Sequence, residues 1–208
     1  MSNNKIVIID YKMGNLRSVQ KAFEKMGSEA IISNNPEVIN ASSKIVLPGV
    51  GSFSDGMKNL REMGLIPILE KEILHNKKPF LGICLGMQLL ANSSLENGKT
   101  AGLGWIDANV VPFDFSKEKL KLKVPHVGWN NVNFIGDNKI FYNIDSKSDL
   151  YFVHSYHFIP NEDVAISLTD HGLNFVSSVN KNNIYGFQFH PEKSQAVGLQ
   201  MIENFLNL

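Results

Sequence analysis

The chain has 208 residues, enough for one domain, or a domain with a small insertion, around a substantial core. Its 20 basic and 20 acidic side chains cancel, and no basic patch or long apolar run stands out, so neither a nucleic-acid nor a membrane partner is expected. A single cysteine excludes an internal disulfide, and the few residues before Ile6 are too short for a signal segment, so a cytoplasmic location is expected.

In chain order, residues 5–9 form a near-continuous apolar run ending at Asp10, the pattern of a central parallel strand covered on both faces. A loop at 11–15 leads into residues 16–26, where Leu16, Val19, Phe23 and Met26 recur at helical spacing. Gly27 is placed to end that helix. Residues 30–32 predict a second strand, Pro36 opens a short helix, and residues 45–47 predict a third strand running into Pro48-Gly49-Val50-Gly51. Helices are expected at 55–62 and 66–75, then a strand at 80–83 and a helix start at 87–92. This alternation predicts an α/β fold: an open, doubly wound, mostly parallel sheet with helices on both faces.

Beyond Asn92 the pattern changes. Residues 102–112, 120–134, 149–159 and 164–168 read as strands separated by Gly, Asn and Asp turns, with an exposed lysine-rich connection over 114–123. Residues 175–179 and 184–189 read as a hairpin around Lys181-Asn182-Asn183, and 196–206 as a closing helix. An added antiparallel strand region in the C-terminal half is therefore expected. No linker divides the chain, so residues 1–208 are expected to form one domain.

The chemistry concentrates at Gly82-Ile83-Cys84-Leu85-Gly86, which has the Gly-x-nucleophile-x-Gly spacing of a tight strand-to-helix turn. Such a turn forces an unusual backbone angle at the nucleophile, and flanking glycines avoid Cβ clashes. A helix N-terminus there would favour the thiolate. A lone cysteine is more often an inert core residue, and the turn alone does not decide between the two. Gly186-Phe187-Gln188-Phe189-His190-Pro191-Glu192 does. His190 follows a buried run and can take the thiol proton, and Glu192, two residues on, can hold the imidazole. In the loop after the third strand, the Val50 N–H can turn toward a developing oxyanion, with the Leu85 amide as second donor. His75, His126, His157 and His171 have no partner motif and read as ordinary structural or surface histidines, with His154 as a neighbour of the site. No His, Cys or carboxylate cluster has metal-ligand spacing, so neither a metal nor another cofactor is expected.

These motifs resemble those of the class I, triad-type glutamine amidotransferases, and most closely the branch of glutaminase subunits of imidazole glycerol phosphate synthase. The matching stretches are residues 10–19, 48–53, 82–88, 125–130 (Pro-His-Val-Gly-Trp-Asn), 151–156 and 188–194, spread over the whole chain. The resemblance implies that Cys84 attacks the glutamine side-chain amide, giving a glutamyl thioester and ammonia, and that His190 and Glu192 complete the triad. It implies that Gly51, Gln88, Ser155 and Tyr156 hold glutamine, and that ammonia passes to a (β/α)8-barrel synthase subunit in a heterodimer. Asn15, Trp129 and Tyr151 match positions toward that partner, although the two aromatics could equally be core. Lys12 stands where a small residue such as Gly is usual, and His171-Gly172 replaces a usual Tyr-Gly. Both leave room for a paralogue that serves a sugar-amidating enzyme of surface-polysaccharide synthesis. A cysteine hydrolase of another kind on the same fold fits Gln88 and the His-Pro-Glu turn less well, and an intact Cys84, His190 and Glu192 argue against a degenerate binding subunit.

Overall fold

The computed structural model describes residues 5–116 and 122–208. Strands β1 (Lys5–Ile9), β2 (Glu29–Ser33), β3 (Lys44–Gly49) and β4 (Phe80–Cys84) alternate with helices α1 (Leu16–Lys25), α2 (Pro36–Ala41), α3 (Phe53–Glu62) and α4 (Leu65–Glu70). Together with β13 (Ile184–Phe187) they build a parallel sheet in the order β2-β1-β3-β4-β13.

Along β1, β3 and β4 nearly every residue is buried, and the side chains alternate between the two faces of the sheet, as period-two geometry requires. Ile6, Ile8, Val46, Leu81 and Ile83 pack with Val19 and Phe23 of α1 and with Met201, Ile202 and Phe205 of α6 (Gln195–Leu206). Phe23 and Phe205 meet edge-to-face at 6.2 Å between ring centroids. Val7, Ile9, Ile45 and Leu47 face the other way, against Met57, Leu60, Leu65 and Leu69 of α3 and α4. Each buried side chain of this size contributes roughly 1.5–3 kcal/mol relative to exposure. A one-residue slip would therefore exchange two apolar layers, which pins the register of the strands that carry the site.

Past β13 the sheet turns antiparallel, through β12 (Asn174–Lys181), β10 (Tyr156–Pro160) and β7 (Ala108–Pro112). Short strands β5 (Ser93–Ser94) and β6 (Thr100–Ala101) finish that edge. A second branch leaves β12 through β11 (Ala165–Asp170) to β8 (His126–Phe134) and β9 (Ser148–His154).

Several boundaries differ from the sequence reading. Of the strand expected over 102–112 only 108–112 forms, as β7, because residues 102–107 fold back onto the segment after β4: the Gly102, Gly104 and Trp105 amides donate to the Asn92, Ala91 and Leu90 carbonyls. The strand expected over 149–159 breaks at Ser155 into β9 and β10. The second half of the 66–75 helix widens into a π-turn at Lys71–His75. The helix after Cys84, α5, is a single turn, Leu85–Gln88, and chain reversals replace the expected extension to 92. Part of the lysine-rich connection expected over 114–123, and the start of the strand expected at 120, lie outside the described residues.

Candidate active site

The carboxyl ends of β3, β4 and β13 converge, the usual place for a ligand in an open α/β sheet. Gly49 pairs with Cys84 in register, and Phe187 pairs with Ile83, so His190 lies three residues beyond a strand end adjacent to the cysteine. Cys84 sits at φ 54°, ψ −109°, a left-handed conformation costing about 1–3 kcal/mol for a residue with a Cβ. The glycines beside it are there for space. A Cβ on Gly86 would lie 1.7 Å from the Leu47 carbonyl oxygen, and one on Gly82 would lie 2.6 Å from the Gly86 oxygen. Since α5 is one turn long, any help to a thiolate comes from the local Leu85 and Gly86 amides, which lack intrahelical acceptors, more than from a helix dipole.

His190 and Glu192 are both nearly buried, and Nδ1 lies 2.8 Å from the Glu192 Oε1. The turn Pro191–Lys193 that carries them is tied to β9: the His190 amide donates to the Tyr151 carbonyl (2.9 Å), the Tyr151 amide to Ser194 Oγ (3.0 Å), and that hydroxyl to the His190 carbonyl (2.6 Å). His190 Nε2 has no conventional hydrogen bond, yet Cys84 is near enough to govern its charge. Burial alone would lower the His190 pKa; Cys84 and Glu192 override it and raise the ring to about 9. The ring therefore holds a proton readily and can return it to a leaving nitrogen.

A stability prediction follows from that sign. The folded value exceeds the unfolded value of about 6.5, so the contribution is fully present below about pH 6.5 and is lost as pH rises through about 9. Glu192→Gln should cost about 1–2 kcal/mol at pH 6, about 2–6 °C in Tm, and clearly less at pH 9.5. A Tm difference that does not change with pH would contradict this assignment of the raised value.

A pocket of about 510 Å³ opens at Cys84, walled by the expected Val50, Gly51, Leu85, Gln88, Ser155 and Tyr156. Gln88 Nε2 donates to the Tyr156 carbonyl (3.1 Å) and to Gln188 Oε1 (2.9 Å). Gln188 Nε2 in turn points at the Cys84 sulfur, 3.8 Å away, and the thiol faces the Val153 carbonyl at 3.8 Å. Gly51 takes φ 98° in the loop after β3, and Val50 is half-exposed there. Beneath the loop the Tyr11 hydroxyl is buried without a partner, and it occupies the space a Cβ on Gly49 would need. Burial and then the Cys84 charge push its pKa far up, so it stays a phenol.

Two residues of the site escaped sequence reasoning. Gln188 shares the parity of His190 along the chain, a signal that was legible. Glu96 was not: it reaches the pocket only because the chain turns back after β5, and its Oε2 accepts the Phe53 amide at 2.6 Å.

Asn15 is exposed at the start of α1, without a side-chain cap. Trp129 is 46% exposed and meets half-buried Tyr151 edge-to-face at 6.0 Å, and the Tyr151 ring lies 6.5 Å from His190. Trp129 is thus no core residue; it stands on a surface next to the turn that carries His190. Lys12 is exposed at φ 63°, the left-handed region that favours glycine.

The histidines fall into one exposed residue and a packed group. His75 is exposed, but His126, His154, His157 and His171 gather around Phe113, with ring centroids 4.8–6.5 Å from it. Among the described residues no group of three His, Cys, Asp or Glu is placed to hold a metal ion, and no helix is long and apolar enough to cross a membrane.

Comparison with known proteins gives this geometry a context. The model of the family described as glutamine amidotransferase class-I matches residues 7–208. The chain is 47% identical over 203 residues to imidazole glycerol phosphate synthase subunit HisH 1 of Campylobacter jejuni, covering 98% of this chain and 100% of that one. It is 51% identical to subunit HisH 2 of Methanococcus maripaludis, covering 97% and 98%. Among solved structures, a glutamine amidotransferase superposes with a TM-score of 0.74 at 18% identity, covering 97% and 99%. A complex described as PurLQS from Thermotoga maritima gives 0.74 at 20%, covering 98% and 97%. At those identities the two structures bear on the fold alone.

Proposed function

The chain belongs to the class-I glutamine amidotransferase family, and from that premise we propose that its 208 residues act as one glutamine-hydrolysing unit with Cys84, His190 and Glu192 as the triad. The observation that carries this reading is the strained Cys84, raised on its turn beside the buried His190–Glu192 pair at a pocket sized for an amino acid.

Cys84 Sγ attacks the glutamine Cδ as His190 takes the thiol proton. The carbonyl electrons move onto oxygen, where the Val50 and Leu85 amides receive them, each such donor being worth roughly 3 kcal/mol in the transition state. Collapse of the tetrahedral centre breaks the C–N bond, His190 returns the proton to nitrogen, and ammonia leaves a glutamyl thioester. Water, deprotonated by His190, then cleaves the C–S bond, releasing glutamate and restoring the thiol. Glu192 accepts the Nδ1 proton in a hydrogen bond throughout and keeps Nε2 toward sulfur.

Gly51, Gln88, Ser155 and Tyr156 hold the substrate. Glu96, the one carboxylate among the residues walling the pocket, receives its ammonium group. Glu96→Gln should raise the glutamine KM by about 10- to 100-fold with kcat changed far less, because the lost charge contact is made equally in ground and transition states. A fall in kcat at constant KM would move Glu96 to another role.

The names of its relatives support reading the protein as the glutaminase subunit of imidazole glycerol phosphate synthase, in histidine biosynthesis. Its partner is then a (β/α)8-barrel synthase subunit in a heterodimer, which uses the ammonia to form imidazole glycerol phosphate and AICAR. Free ammonia would be protonated in water, so the two sites must seal together. The exposed Asn15 and Trp129, with half-buried Tyr151 beside Trp129, are suited to that contact. Lys12 on this edge, and His171, support a second reading in which a paralogous subunit feeds a sugar-amidating enzyme. A diazoketone analogue of glutamine, added to the chain with its barrel partner, tests the chemistry. It should label Cys84 once, and glutamine should protect; labelling elsewhere, or none, would overturn the proposal.

A further inference from the structure

We propose that His126 and His154 form a one-way hydrogen-bond relay that positions the glutamine pocket, running from Asn130 on β8 to the Tyr156 carbonyl. Both are positioning residues, and the inference rests on the glutaminase reading above.

The direction is fixed from its inner end. His154 Nδ1 lies 2.8 Å from the Tyr156 carbonyl oxygen, which can only accept, so Nδ1 carries the proton. In a neutral ring Nε2 is then an acceptor. It faces His126 Nδ1 at 2.9 Å, so that nitrogen must donate, and His126 Nε2 must accept in turn. Asn130 Nδ2 supplies that donor at 3.1 Å and gives its other proton to the Asp170 carbonyl at 2.8 Å. Each ring thus has one tautomer compatible with both neighbours, the Nδ1–H form.

The relay ends at a carbonyl shared with the pocket. The Tyr156 oxygen also accepts from Gln88 Nε2, and Gln88 leads through Gln188 to the Cys84 sulfur. Ser155, between β9 and β10, is the break in the strand that gives the pocket its wall, and the His154–Tyr156 bond spans that break. With the relay intact the kink and the Gln88 amide are both held; without it the carbonyl keeps only one of its two donors.

The surroundings keep both rings neutral. His126 stacks on Phe152 (4.9 Å) and His171 (4.0 Å), while His154 packs against Phe113 (5.2 Å) and Phe175 (5.0 Å). The ionisable groups facing them are each other, His157 on β10 and His171 beyond β11, all of which oppose added positive charge. Burial holds His154 down to about 3, against the raising effect of its Tyr156 bond. Burial and then the His171 charge hold His126 down to about 4. The relay therefore persists across the neutral range and fails only in acid, where a second ring proton sets donor against donor.

Long-range ¹H–¹⁵N spectra of the histidine-labelled full chain at pH 7 read the tautomers directly and need no activity. Both His126 and His154 should show the Nδ1–H form; an Nε2–H or doubly protonated ring at either position would overturn the relay. The functional arm uses the complex with its barrel partner, whose wild-type glutamine turnover separately tests the glutaminase reading. His154→Phe should raise the glutamine KM at least about 10-fold while kcat stays within about threefold. His154→Asn, which retains a donor near the Nδ1 position, should recover most of that loss. Equal defects in the two variants, or none in either, would contradict positioning through the Tyr156 carbonyl. If His154→Phe fails to fold, the wild-type tautomers decide the matter.

Discussion

Cys84→Ala should lower glutamine hydrolysis by the partnered chain at least about 10⁴-fold, about 5 kcal/mol of transition-state stabilisation, because no other group in the pocket can form the thioester. Folding should survive: the side chain removed is small, and its hydrogen bonds to Val153 and Gln188 are long, 3.8 Å each. Its backbone allows a sharper test. At φ 54°, ψ −109° alanine inherits the strain that cysteine bears, whereas glycine does not. Cys84→Gly should therefore be as inactive as Cys84→Ala yet more stable by about 1 kcal/mol or more, despite glycine's greater entropy when unfolded. Equal midpoints for the two in thermal melting would mean that the turn carries no stored strain. Residual activity near wild type in either would refute Cys84 as the nucleophile.

The largest loss of stability should come from one methyl group, in Gly86→Ala. By helix propensity alone the change gains about 1 kcal/mol, since Gly86 lies within α5 and needs no positive φ. Packing outweighs this. The new Cβ would lie 1.7 Å from the Leu47 carbonyl oxygen, and both groups are backbone-anchored, so neither can rotate away. Relief requires moving α5 off β3, which separates Leu85 from Val50 and lowers Cys84 toward the sheet. We expect a loss of about 3 kcal/mol or more, with activity abolished even in whatever folds. Gly27→Ala is the control: it has φ 81° but nothing within 4 Å, so it should cost only about 1 kcal/mol. Denaturant midpoints for the pair would decide, and a small effect at Gly86 would show that the elbow yields more easily than its geometry implies.

Much of this was legible in the chain. Apolar runs at β1, β3 and β4 read as buried parallel strands because both their faces are covered, so that periodicity and burial agree. Cys84, His190 and Glu192 announced themselves by glycine spacing and by parity after a strand. What stayed hidden depends on contacts distant in sequence. Ser155 breaks a run of strand-forming residues, and nothing local marks it; the break is fixed by Phe113, whose amide donates to the Ser155 carbonyl at 3.2 Å. Glu96 reaches the pocket only through the turn after β5, and the four-histidine cluster forms only through pairing of the antiparallel branch, where β8 and β9 set His126 opposite His154. The short α5 was overestimated because Met87, Leu89 and Leu90 favour helix in isolation. The carbonyls of Leu89 and Leu90 instead accept from the Leu103, Trp105 and Ile106 amides, in a segment that folds back over them.

Glutamate release from glutamine, first by the purified chain alone and then with a histidine-pathway barrel subunit and its nucleotide substrate, tests the central claim most directly. The chain alone should be slow, because the Val50 amide of the oxyanion site sits on an exposed, glycine-bearing loop that the partner would have to orient. Addition of the barrel and its substrate should stimulate turnover at least about 100-fold, by shifting that loop to its competent form. A sugar-amidating partner that stimulates where the histidine-pathway one does not would retain the chemistry and change the pathway. Absence of turnover with either partner, by a folded chain whose Cys84 remains a free thiol, would contradict the account.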